Sequence, residues 1–141
     1  MIAREIKRLE EQLKRALEGE AWHGPSVLES LAGVSAHEAA AHPISGAHSI
    51  WEIVLHLTTD YGLVLRRLSG DGRQLTPEEN WPPCPAATEE NWRKAAQDLT
   101  KLNPLVSEVP YTAYTQFIGV TQHGLYHAGQ IALLKRALRT G

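Results

Sequence analysis

Apolar residues recur at helical spacing over most of this chain, with polar residues filling the positions between them. Ile2, Ile6, Leu9, Leu13 and Leu17 repeat every three or four residues among charged neighbours, which predicts a first helix from about Ile2 to Glu18, with Gly19 as its stop. Ser49-Ile50-Trp51-Glu52 is a capping box just after the breaker Gly46. It opens a second helix whose apolar stripe is Ile50, Ile53, Val54, Leu57, Tyr61, Val64, Leu65 and Leu68, ending at Ser69-Gly70. A third helix starts near the cap Thr88, turns Trp92, Ala95, Ala96, Leu99 and Leu102 inward, and ends at Asn103-Pro104.

The fourth helix, from about Thr112 to Arg139, has two apolar faces. Gln116, Val120, His123, His127, Gln130, Ile131, Leu134 and Leu138 share one side; Ile118, Leu125, Gly129, Ala132 and Leu133 share another. Such a helix is central to the fold or meets a second subunit. Gly119, Gly124 and Gly129 each cost about 1 kcal/mol of helix propensity relative to Ala. Close helix packing or room for a ligand would account for them.

Two long connections separate these helices. Residues 20–48 contain two short helical turns, one starting near Pro25 and ending at Gly33, the other opened by the capping box Ser35-Ala36-His37-Glu38. Residues 71–87 hold four prolines and the cap Thr76-Pro77-Glu78-Glu79, a long loop with one helical turn. No segment alternates with period two, so the class is all-α. The loop after the second helix is long enough to return the chain along a helix of about 30 Å, and the link from third to fourth is short. The expected architecture is an up-down-down-up four-helix bundle, with its extra helices between the first and second long ones.

Composition narrows the function. The 141 residues make one domain, 1–141, large enough to bury about 68% of its unfolded surface. A formal charge of −2 points to neither a nucleic-acid nor a membrane partner. The single cysteine, Cys84, fits a reducing cytoplasm; the charged N-terminal stretch excludes a signal core, and no apolar run reaches membrane-spanning length. The expectation is a cytoplasmic protein. Seven histidines are many for this size.

His123 and His127 stand four residues apart on one helix, which stacks their rings on one side, one turn apart. Paired imidazoles at that separation can grip one metal ion, and His56 on the second helix can complete a set of three. Neutral imidazole suits zinc, nickel, iron and copper, and three ligands leave room for water or substrate. Asp60, one turn after His56, is either a fourth ligand or the acceptor that orients His56; Gln130, three residues after His127, can bond a bound water or substrate. The bland alternatives are imidazoles buried against carbonyls and a solvated Asp60. His37, His42 and His48 read as surface residues, Cys84 as an incidental loop thiol, and Trp22, Trp51, Trp81 and Trp92 as packing residues.

Three blocks in order carry a family resemblance: Ala21-Trp22-His23-Gly24-Pro25-Ser26, then 46–57 (GAHSIWEIVLHL), then 122–131 (QHGLYHAGQI). With these blocks the chain resembles the DinB-like (DinB/YfiT) family of metal-binding four-helix proteins over nearly its whole length. The resemblance implies the same bundle, a divalent metal (zinc or nickel) held at His56, His123 and His127, and frequent homodimers. Some relatives transfer a low-molecular-weight thiol such as bacillithiol, mycothiol or glutathione. The segment 98–114 is shorter than the family pattern. Three functions follow as expectations. One is a metal-dependent enzyme on small molecules, either a thiol transferase or a hydrolase, with His23 as an acid/base or pocket residue. The second is a non-enzymatic metal-binding stress protein, and the third a metal-free bundle acting through protein contacts.

Overall fold

The computed structural model describes residues 2–102 and 114–140, which form seven helices and, among these residues, no strand. They are α1 (Ile2–Glu18), α2 (Val27–Leu31), α3 (Ala36–Ala40), α4 (Ile50–Leu68), α5 (Pro77–Asn80), α6 (Glu89–Lys101) and α7 (Tyr114–Thr140). The expected stop at Asn103-Pro104, the start of the last helix at Thr112 and most of the shortened 98–114 connection lie outside the described residues.

Local chemistry accounts for the helix ends. Ser26, Ser35, Ser49 and Thr76 each accept from the N–H three residues on, while the glutamate at that position reaches back to the capping N–H. The α2 cap is Ser26, with Pro25 next to it near the start of the helix as expected. These bonds hold Glu29, Glu38 and Glu79 below the usual carboxylate range. α1 stops at Gly19 as expected, and both Gly19, at φ 154°, and Glu20, at φ 61°, have positive φ.

α7 packs against α1, α2 and α4, and α4 also meets α3, α5 and α6. Trp51, Tyr61, Phe117, Leu13, Leu17 and Ile131 are among the fully buried side chains, and each such residue contributes about 1.5–3 kcal/mol by leaving water. Trp22 departs from its expected packing role and is fully exposed. The short helices are fastened from both sides. Lys135 on α7 donates to the carbonyls of Ser30 and Ala32 behind α2, and Trp92 on α6 donates to the carbonyl of Val34.

α4 and α7 run antiparallel. His56 meets His127 and His123, Asp60 meets His123, and Arg67 shares a groove with Gln116, so the numbering climbs on one helix as it falls on the other. The three α7 glycines answer to different demands. A Cβ at Gly124 would lie 3.0 Å from the Tyr61 hydroxyl and 3.9 Å from Val27 Cγ2, whereas one at Gly119 or Gly129 meets nothing within 4 Å.

Gly124→Ala is therefore expected to destabilise the protein. Tyr61 is 1% exposed and packed in the core, so an overpacking cost of about 1–3 kcal/mol is expected to outweigh the gain of up to about 1 kcal/mol in propensity. Gly129→Ala should stabilise by about 0.5–1 kcal/mol. The Tyr61 hydroxyl is buried without a partner, so Tyr61→Phe removes both the clash and the orphan donor and should rescue Gly124→Ala. Urea unfolding of the single and double variants checks this, and additivity of the two substitutions would contradict the contact.

Candidate metal centre

The antiparallel register brings three imidazoles from two helices to one point. His123 Nε2 lies 2.9 Å from His56 Nε2 and 3.2 Å from His127 Nε2. One nitrogen from each ring falls within 4.8 Å of the other two. For ligands at about 2.1 Å from a common ion, donors at cis-octahedral to tetrahedral angles stand about 3.0–3.4 Å apart. The two separations from His123 lie close to that range, and the three nitrogens could hold a metal ion.

The far side of two rings explains which nitrogens face inward. His56 Nδ1–H donates to the Asn80 carbonyl at 2.8 Å, and His127 Nδ1–H donates to Gln130 Oε1 at 2.6 Å. A neutral imidazole with its proton on Nδ1 presents a bare lone pair at Nε2. Two such lone pairs aim at His123 Nε2, and Asp60 Oδ2 lies 2.7 Å from that atom and 3.2 Å from His56 Nε2. One proton on His123 can satisfy these acceptors only in turn, whereas a divalent cation satisfies them together. Asp60 lies beside the three nitrogens, in contact with both His123 and His56, while the Nδ1 side of His56 is held by the Asn80 carbonyl.

The acceptor at Asn80 comes from the last residue of α5, and the next residue, Trp81, lies flat on His56. Their ring centroids are 4.0 Å apart with planes at 10°, and His48 stacks on the other side of Trp81 at 3.6 Å and 6°. Trp81 is thus a platform that fixes the His56 ring. His48 and His42, both on the surface as expected, bracket Glu52 at 3.5 and 3.0 Å. The 71–87 loop is therefore part of the site. Its only warning in the sequence was the Thr76 capping box beside a tryptophan.

Exposure is uneven. His56 and His127 are buried, while the His123 side chain is 35% exposed. Desolvation, followed by the neighbouring His123 charge, pushes His127 down from 6.5 to about 4, so this ring stays neutral and ready to ligate at ordinary pH. A groove of about 280 Å³ opens from the His123 side, with Asp60 and His123 at its head, Arg67 and Gln116 at its far end and Val64 and Val120 between. A second cavity lies behind Gln130, against Ile53 and Leu134, and touches none of the three histidines. His23, expected at the pocket, is exposed and belongs to neither cavity. Partial burial and then the Glu52 charge push the Cys84 thiol up, away from a reactive thiolate.

Gln130, expected to bond a bound water or substrate, accepts from His127 Nδ1–H, and its own Nε2 donates to the Tyr126 hydroxyl at 3.1 Å. Gln130→Leu is expected to weaken metal binding about 10–100-fold, because His127 loses the acceptor that fixes its tautomer. Gln130→Glu keeps an acceptor and should retain affinity. Competition against a chelating dye measures both, and equal affinity in the Leu variant would remove Gln130 from the centre.

No match to this chain is found among protein families, among curated proteins or among solved structures.

Proposed function

We propose that this protein is a metal-dependent enzyme of the DinB-like type. In this reading α1, α4, α6 and α7 form an up-down-down-up bundle, and His56, His123 and His127 hold zinc or nickel. The observation that carries the reading is the asymmetry of the centre. Two ligands are buried and oriented from behind, while the third is half open at the head of a groove large enough for a small molecule. A purely storing or structural site has no use for that opening.

A divalent ion bound there supplies Lewis acidity, lowering the pKa of a thiol or water that reaches it. The reaction favoured here is transfer of a small thiol to an electrophile. Sulfur bonds to the electrophilic carbon, the leaving group departs with the carbon's electron pair, and the thiol proton is given up. Asp60, the acid at the groove head, stands where that proton would be taken up. Trp81, Asn80 and Gln130 keep the imidazoles in place. Pairing of two copies across the outer face of α7, where Tyr126 and Leu133 are exposed, belongs to the same reading.

The test is metal analysis of untagged protein, followed by assays of small thiols with monochlorobimane and epoxides. The expected result is about one ion per chain and turnover that chelation removes and metal restores. Metal-loaded protein without turnover across such a panel would overturn the enzymatic reading, and protein that binds no metal would overturn the centre itself.

A further inference from the structure

We infer that the groove takes an acid with an apolar middle, whose reactive end reaches the histidine centre while its carboxylate is held by Arg67. This rests on the metal-centre reading above and adds the substrate class.

The groove has three chemically distinct stretches. Asp60 to Arg67 on α4 and Gln116 to His123 on α7 are each seven residues, two helical turns, so head and tail stand about 10 Å apart. The waist between them is apolar. Val64 and Val120 line it, and at Gly119 the wall lacks a side chain altogether, with nothing within 4 Å of where a Cβ would stand. A hydrocarbon segment matches that apolar lining.

The tail carries unmet demands. Arg67 donates to the neutral Gln74 Oε1 at 2.9 Å and has no carboxylate partner among the described residues. Its guanidinium retains donors in the planar arrangement that suits a carboxylate. Gln116 Oε1 is buried in the protein without a hydrogen-bond partner, and leaving such an acceptor unpaired costs about 1–3 kcal/mol. A ligand carboxylate would meet the free donors of Arg67.

The experiment uses the full chain loaded with cobalt(II), whose visible bands report histidine ligation and whose near-ultraviolet band reports a bound thiolate. The probes are ω-mercaptohexanoate and ω-mercaptohexanol. The long acid is expected to bind about tenfold tighter than the long alcohol. Arg67→Met should bring the long acid to the affinity of the alcohol while cobalt affinity stays unchanged. Gly119→Leu should weaken both long thiols and leave cobalt affinity unchanged. Equal affinity of long acid and long alcohol in the unaltered protein would overturn the inference and leave the metal centre standing. Absence of the histidine–cobalt bands would overturn both, and the two failures are read at different wavelengths.

Discussion

Zinc or nickel added to the metal-free protein is expected to raise its melting temperature by about 12 °C. An ion that binds only the folded chain stabilises it by about 4 kcal/mol at a thousandfold excess over its dissociation constant. For a domain of this size, 1 kcal/mol corresponds to about 3–4 °C. The folded state is prepared for this gain, since its three Nε2 atoms and a carboxylate oxygen already converge and the unfolded chain must gather them. His123→Ala is the sharpest variant because its ring is the most exposed of the three, so the substitution disturbs the core least. It should abolish most of the shift, as should His56→Ala. His37→Ala and His42→Ala, both at the surface, should leave it intact. A shift that survives His123→Ala but falls with the surface variants would place the ion elsewhere.

Much of this centre could be read along the chain because helices convert spacing into geometry. His123 and His127 share a face by periodicity alone, and the Ser49 capping box fixes where α4 begins and therefore which way His56 points. α1 and α4 match their expected limits for the same reason: the amphipathic stripe and the cap agree. What spacing could not supply is contact between elements. The Asn80 carbonyl and the Trp81 ring reach His56 from an irregular segment 24 and 25 residues away, and no periodicity governs where such a loop docks. Trp22 and His23 show the converse error. Their residue types suggested packing and chemistry, yet the turn that carries them faces solvent. The three glycines of α7 look alike in sequence but differ in space. One admits the Tyr61 hydroxyl, one leaves the groove open and one lies on the surface.

Acid should destabilise the metal-free protein, and the buried His127 ring sets the range. Its folded value of about 4 lies below the ordinary 6.5, first because burial disfavours the charged ring, then because His123 and His56 add like charge; Gln130 and Asp60 oppose this only in part. Above pH 6.5 the ring is neutral in both states and contributes no slope. As pH falls through 6.5 the unfolded chain takes up a proton that the folded chain refuses, so stability declines. The decline levels off near pH 4, where the folded ring also charges, after a loss of up to about 3 kcal/mol. The capping glutamates act in the same direction but only at lower pH, because their hydrogen bonds hold them below the usual carboxylate range. Unfolding free energies in chelator between pH 7.5 and 5 isolate the histidine contribution. His127→Asn keeps a donor for Gln130 without a titrating ring, and should flatten the profile over that interval. With metal bound the loss on acidification should be steeper, since protons then also displace the ion from all three imidazoles. A slope between pH 7 and 5 that is the same in His127→Asn as in the unaltered protein would show that this ring is not the group that acid must charge.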